Sequence, residues 1–561
     1  MAGMTDWLEA PDSTRGIRFA ADPDGWDLWS YERLAQATWS AAEQCSEAGV
    51  EPGDVVAIVI PTGPAFVAAY FAALLCGATP APLVPPTFFE SHDAYVERTA
   101  DLLASGIALV ATDSTLRELV DRACALAGVP KPAVTIAIDR PPSGQSAQPP
   151  AELALFQFTS GSSGRPRAVR VGYDNLEANI RMIREWIGWE ADLSGAHWLP
   201  LYHDMGLIGC LLTPVVYQRD LSIMRPEQFV MDPGRWLNCF GREHAAFTAG
   251  PNFAFSYALS RVKPEQLEGT DFSNWRAAII GAERLDPGVL TRFVQMLAPH
   301  GLRADVFLPA FGMAEATLAV TIARTGQVAR AARPRWSTLR FGGAVEIEQS
   351  APIGDPAIGD GAGWLVGCGG PLPGVGVEIV DEAGARVPDD HLGEIRVTGP
   401  TVARGYAGSS ATLTHFDDDG LSSGDAGFVH DGDLYVIGRL GDAIKVRGKT
   451  LYAEDLESKL TAIPDVPLGR CVVLPGAEGE ASVVAIVERR EGPWVEQAAR
   501  TLAREAGRGA RIRVLAGARG TILRTSSGKP RRQVMWRALL AGELDVTTLH
   551  DSAEQALVGR D

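Results

Sequence analysis

The sequence predicts an α/β fold: a large N-terminal domain of two αβ-sheet subdomains plus a β-rich subdomain, followed by a small α+β C-terminal domain. Three observations predict it. Apolar strands alternate with helical stretches over most of the chain, which implies parallel sheets covered on both faces. From Gly369 short strands separated by turn residues take over. A glycine-flanked joint, Gly438-Arg-Leu-Gly-Asp442, then precedes a last α+β stretch. The boundaries read as 1–437 for the N-terminal domain, with its β-rich part near 367–437, then 438–442 for the joint and 443–561 for the C-terminal domain.

The 561 residues are too many for one core and suggest about three or four folding units. A net charge of −18 argues against broad nucleic-acid binding, which needs a basic surface, and fits a soluble cytoplasmic protein. The seven cysteines are scattered and form no Cys-x-x-Cys pair, so they read as buried thiols in a reducing compartment. The N-terminus lacks the basic and apolar regions of a signal peptide. The most apolar region, Ala65 to Val84, is broken by Gly77, Pro80 and Pro82, so no membrane anchor is expected.

Taken in order, Leu28 to Gln44 reads as a helix with Ser30 as its N-cap. Val55 to Ile60 is an apolar strand, followed by a helix from Ala65 to Cys76 and a short strand at Ala108 to Ala111. Residues 141–151, rich in Pro, Ser and Gly, form a loop into a buried strand, Leu153 to Phe158. Thr159, Ser160, Gly161, Ser162, Ser163 and Gly164 follow that strand. Glycine tolerates backbone angles that turn N–H groups toward one point, and hydroxyls add donors, so this loop suits a polyphosphate. It is not the loop with a lysine after the last glycine.

A helix is expected from Tyr173 to Trp186. The strand–loop units Ala277 to Glu283 and Val306 to Glu315 place glycines and a carboxylate just after apolar strands, where open α/β sheets bind ligands. In the C-terminal part, strands are expected at Ile444 to Val446, Cys471 to Leu474 and Val483 to Glu488, with helices at Ala453 to Thr461 and from near Gln533.

The combination of the Thr-Ser-Gly-Ser-Ser-Gly loop, Phe-Gly-Met-Ala-Glu315, Ser-Gly-Asp425, Gly-Arg439 and Ser-Gly-Lys529 resembles the ordered motifs of adenylate-forming enzymes. The resemblance runs from about residue 25 to 545. Within that superfamily, Trp198-Leu-Pro-Leu-Tyr-His-Asp-Met-Gly-Leu207, Ala249-Gly-Pro-Asn-Phe-Ala-Phe255 and Phe311-Gly-Met-Ala-Glu-Ala-Thr-Leu318 look most like fatty acyl-AMP ligases. The resemblance implies ATP-dependent, Mg²⁺-assisted activation of a carboxylic acid and its transfer to the phosphopantetheine thiol of an acyl carrier protein. A coenzyme A ligase, or an adenylating enzyme for an aryl or amino acid, is the alternative.

The same resemblance assigns roles. The loop Thr159 to Gly164 guides the β/γ-phosphates, with Arg167 where relatives often have lysine. Glu315 is the Mg²⁺-associated carboxylate. Phe311, with Gly312, Met313 and Ala314, flanks adenine, and Gly281, Ala282 and Glu283 line the adenine and acyl-phosphate region. Asp425 takes the ribose hydroxyls with help from Arg439, and His203 positions the acyl carboxylate above a floor shaped by Asp204 and Met205. Lys529 reaches the carboxylate and α-phosphate, where an ammonium offsets charge in the transition state. Gly441 stands at the hinge about which the C-terminal domain rotates, where relatives carry aspartate or lysine. Arg524, Arg531 and Arg532 read as solvated charges. The stretch from Thr325 to Val366 lies where fatty acyl-AMP ligases carry an extra segment that hinders closure for coenzyme A.

Overall fold

The computed structural model describes residues 3–87, 90–159, 167–408, 413–446, 449–467, 469–475, 482–507, 510–525 and 528–553. A nine-stranded sheet forms the largest layer. Its central strands, Phe307–Gly312, Ala277–Ile280, Phe247–Gly250, Gly195–His197, Leu221–Ile223 and Gly16–Ala20, are neighbours in that order and all parallel. Their near-continuous apolar character reflects burial on both faces. An aromatic core fills one side, with Trp198 stacked on Phe229 at 4.1 Å and Phe240 on Trp275 at 4.0 Å. Strand Trp26–Ser30 closes one edge antiparallel to Gly16–Ala20. Leu28 to Ser30 therefore belong to a strand, and the helix begins only at Tyr31. Ser30 does cap it, accepting the Arg33 N–H at 3.1 Å. Pairing with the preceding strand in a short hairpin overrides local helix propensity here.

A second, fully parallel sheet holds Thr79–Pro82, Val55–Val59, Leu109–Thr112 and Val134–Thr135. Strand Leu153–Phe158 pairs antiparallel with Ala168–Gly172, so the Ser/Gly loop joins two strands of a ribbon. Strands Gly376–Val380, Gly393–Thr398, His415–Asp417, Gly420–His430 and Asp433–Arg439 make an antiparallel sheet. The stretch after Thr325 forms a small sheet of its own from Arg330–Pro334, Ile347–Pro352 and Leu365–Val366. All seven cysteines are buried and free. Among the described residues, no helix is long and apolar enough to cross a membrane.

Beyond the joint, strands Cys471–Pro475, Ser482–Val487, Arg511–Gly517 and Val546–Asp551 form a four-stranded sheet. Helices Ala453–Thr461, Trp494–Ala506 and Arg532–Ala541 accompany it. Arg532 corrects a sequence expectation. It is not a solvated charge but only 5% exposed, and it is held by Asp442 at 2.8 Å, Glu454 at 3.0 Å and Glu457 at 2.9 Å. Burial works against its charge, but Glu454, Glu457 and Asp442 hold it well above the ordinary arginine value. A basic run in sequence gives no sign of three acids that lie some 75 to 90 positions away.

Three acids on one cation leave the cluster short of positive charge. Burial pushes the Glu457 carboxyl up to about 7, with Arg532 pulling the other way. The folded protein thus holds this proton more tightly than the unfolded chain, whose carboxyl titrates near 4.5. The stability it contributes is fully present below about 4.5 and is lost as pH rises through about 7. The unfolding temperature of the protein relative to Glu457→Gln should therefore fall between about pH 5 and pH 8. A difference that does not change with pH would contradict this.

Candidate active site

The Ser/Gly loop is closed at its base by the Thr159 N–H, which donates to the Arg167 carbonyl at 2.8 Å. Ser160, Gly161, Ser162, Ser163 and Gly164 lie outside the described residues. Among the described ones, the buried Thr159 hydroxyl lacks a hydrogen-bond partner. The strand leaving the loop is zipped to residues 403–407. Arg170 donates to the Gly405 carbonyl at 2.9 Å, Arg404 to Arg170 at 2.8 Å and Ala407 to Ala168 at 2.9 Å. This segment also reaches the glutamate motif, where the Ala403 N–H donates to the Glu315 carbonyl at 2.9 Å.

Glu315 sits in a one-turn 3-10 helix, Ala314–Ala316, just past strand Phe307–Gly312, and is 5% exposed. The Tyr406 hydroxyl donates to Glu315 Oε1. The Arg167 guanidinium lies 3.9 Å from the same oxygen and 4.0 Å from the centre of the Tyr406 ring. Burial and the Glu315 charge push the Tyr406 phenol far above its ordinary value, so it remains a donor. Gly312 is required by a close approach: a Cβ there would stand 2.1 Å from the Leu318 carbonyl oxygen. Thr317, which closes the turn, is held at φ 67°. Met313 and Ala314 are buried, and Phe311 is 9% exposed and packs in the core beside Met182 and Leu372. Little of its ring is left to face a ligand.

The neighbouring strand Ala277–Ile280 delivers Gly281, Ala282 and Glu283. Ala282 adopts φ 68°, a strained angle for a residue with a side chain. Glu283 accepts the Phe253 N–H at 2.7 Å, and burial raises its carboxyl above the ordinary value. His203 Nδ1 lies 2.7 Å from Asp204 Oδ1, and that oxygen also accepts the Met205 N–H at 2.7 Å. Burial opposes the Asp204 charge, but His203 and the Met205 N–H hold its carboxyl below the usual range. Asp204 so caps a π-helix, Met205–Leu212, of a kind that occurs often at functional sites. Gly206 is required because a Cβ would stand 2.2 Å from the Pro200 carbonyl oxygen.

Asp425 and Arg439 face each other across paired strands, with Oδ1 and Nε 3.0 Å apart. Burial raises the Asp425 carboxyl while Arg439 pulls it down. Lys529 belongs to a tight loop of the C-terminal unit. Its N–H donates to Thr525 Oγ1 at 3.1 Å, and the Thr525 N–H donates back to the Lys529 carbonyl at 2.8 Å. The side chain meets solvent along the open side of a cleft that otherwise surrounds it with protein. That surrounding protein and then Arg439 lower its ammonium from the ordinary lysine value, and Asp425, Asp204 and Glu283 pull it back up. Gly441 lies in the 3-10 turn Leu440–Asp442, where a Cβ would stand 2.9 Å from Leu413 Cδ1.

The fold thus brings Asp204, Glu283, Glu315, Asp425, Arg439 and Lys529 within electrostatic reach of one another, with His203 paired to Asp204. Sequence reasoning missed Tyr406, whose Arg404-Gly-Tyr406 setting offers no chemical pattern of its own. It also gave Asp204 only a pocket-floor role, although its carboxylate orients the His203 ring. Among the described residues, no three His, Cys, Asp or Glu side chains gather as a metal cage.

Residues 9–407 match the family model described as AMP-binding enzyme. A Caulobacter vibrioides protein, provisionally named an acyl-CoA synthetase, is 32% identical over 96% of both chains. The long-chain-fatty-acid–AMP ligase FadD26 of Mycobacterium tuberculosis is 30% identical over 87% of this chain and 86% of its own. The medium-chain-fatty-acid–[acyl-carrier-protein] ligase JamA of Moorena producens is 30% identical over 76% of this chain and 74% of its own. A solved structure from work on the fatty acyl-adenylate ligases of E. coli and L. pneumophila superposes with a TM-score of 0.85 at 28% identity, covering 97% of this chain and 98% of that one. Family match and fold agree with the cleft: the chain belongs to the AMP-binding enzyme family and is an ATP-dependent adenylate-forming ligase of the fatty acyl-AMP ligase kind.

Proposed function

We propose that the protein activates a fatty acid as its acyl-adenylate and passes the acyl group to the phosphopantetheine thiol of an acyl carrier protein. One observation carries the first half: the C-terminal unit brings Lys529 within electrostatic reach of Asp425, Asp204 and Glu283, beside the Asp425–Arg439 pair. In this reading a carboxylate oxygen attacks the α-phosphorus, the Pα–O bond to the β-phosphate breaks, and pyrophosphate leaves. The Lys529 ammonium offsets the charge gathered at the α-phosphate and the attacking carboxylate. His203, oriented by Asp204, sets the acid in line, and Asp425 receives the ribose hydroxyls. A buried carboxylate oxygen suits a hard divalent ion, and Glu315 would hold Mg²⁺ together with phosphate oxygens. Bound there, Mg²⁺ would neutralise charge on the phosphates.

The carrier assignment draws on JamA, whose name includes an acyl carrier protein. It also draws on the small sheet after Thr325. Trp336 of that segment lies with Arg284 5.4 Å from its ring on one hand and Lys459 of helix Ala453–Thr461 5.3 Å on the other. Lys459 pairs with Asp455 at 2.8 Å, and Arg284 lies 3.6 Å from Asp455. The segment is therefore attached to the C-terminal unit, as a brake on its rotation would be. The Caulobacter relative supports the second reading, a coenzyme A ligase.

Two measurements test this. Pyrophosphate release, screened over a panel of fatty acids of increasing length, should fall by about 10²-fold or more in Lys529→Ala; unchanged release would remove Lys529 from the mechanism. Incubation with the active acid, ATP and either holo-carrier protein or free coenzyme A should load the carrier preferentially. Efficient acyl-CoA formation with an unloaded carrier would sink the carrier reading.

A further inference from the structure

Glu315 is buried beside a cation that belongs to the protein itself. Arg167, at the base of the Ser/Gly loop, lies 3.9 Å from Glu315 Oε1, and its guanidinium is seated 4.0 Å above the Tyr406 ring. Tyr406 donates to the same Oε1. Its backbone is bridged to Val169 and its ring meets Phe416 edge-on at 5.4 Å, so the phenol is fixed from both sides. At 3.9 Å the guanidinium is an electrostatic partner of Glu315 and not a close hydrogen-bonded one.

Resting on the adenylation reading, the geometry points to Arg167 as a resident stand-in for the metal cation, and to Tyr406 as the positioning residue that holds both the arginine and the carboxylate. Tyr406 ties down Oε1, and Oε2 is the oxygen that would be left for a divalent ion. A divalent ion held by Glu315 and the nucleotide phosphates would take over the neutralisation of Glu315 and would free Arg167 from it. The loop that guides the phosphates and the carboxylate that takes the metal are then coupled through one phenol. A hydrogen-bonded ligand is oriented by its outer partner, and loss of such partners typically weakens metal binding by about 10- to 100-fold.

The two side chains act on metal affinity with opposite signs, and this separates the proposal from a merely structural role. Mn²⁺ binding to the full-length protein with a non-hydrolysable ATP analogue, read by electron paramagnetic resonance, needs no acid and no turnover. Tyr406→Phe should weaken Mn²⁺ binding by about 10-fold or more. Arg167→Ala should tighten it by about two- to fivefold, the worth of a partly shielded ion pair. Arg167→Lys, which keeps the competing charge, should stay near the parent. Circular dichroism and thermal melting check that each variant is folded. Parental Mn²⁺ affinity in folded Tyr406→Phe, or weaker Mn²⁺ binding in Arg167→Ala, would overturn the proposal. Because no acyl substrate enters the measurement, a wrong acid or acceptor leaves its outcome unchanged.

Discussion

The buried ionic cluster around Arg532 is the constraint on which the site depends. Asp442 comes from the joint, Glu454 and Glu457 from the first helix of the C-terminal unit, and Arg532 from the start of its third. Lys529 stands three residues before that arginine, in a loop closed by its own hydrogen bonds to Thr525. Removing one member of a buried ion pair is costly, about 3–5 kcal/mol, because the partner charges are left stranded. Here the stranded charges would be three carboxylates. The cluster thus ties the orientation of the C-terminal unit at the joint to the delivery of the ammonium into the cleft.

On the opposite wall the site is built by close approach. Parallel strands end at Ile280 and Gly312, and their loops turn within van der Waals reach of neighbouring backbone. Gly206 and Gly312 face carbonyl oxygens at distances no Cβ can take, and Ala282 and Thr317 accept left-handed angles. Strained and sterically specified positions of this kind fix where the acidic side chains of these loops stand. The electrostatics follow from that placement. Acids and bases that would each be poorly tolerated alone share one cleft, where each moderates the pKa shift that burial imposes on the other.

Much of this was legible in the sequence because its signals are local. The strands at Val55–Val59, Leu153–Phe158 and Ala277–Ile280 are short apolar runs bounded by turn residues, and helix Ala453–Thr461 has two acids in its first turn and a lysine in its last. Most of what escaped is non-local. Arg532 became buried through acids some 75 to 90 positions away, whereas Leu28 to Ser30 joined a local hairpin with Gly16–Ala20 that the helical pattern beginning there hid. Tyr406 meets Glu315 across 91 positions, a juxtaposition that no spacing rule anticipates. The π-helix after Asp204 was invisible because its apolar run, Met205–Leu212, has no polar face to reveal a period.

The most direct test of the account is a double-mutant cycle on acyl-adenylate formation, combining Lys529→Ala with Arg532→Met and reading rapid-quench acyl-AMP yield. If Arg532 acts by holding Lys529 in the cleft, each single variant slows adenylation and the double variant is no slower than Lys529→Ala alone. Independent, multiplicative losses would show that the two residues serve the reaction separately and would contradict the account.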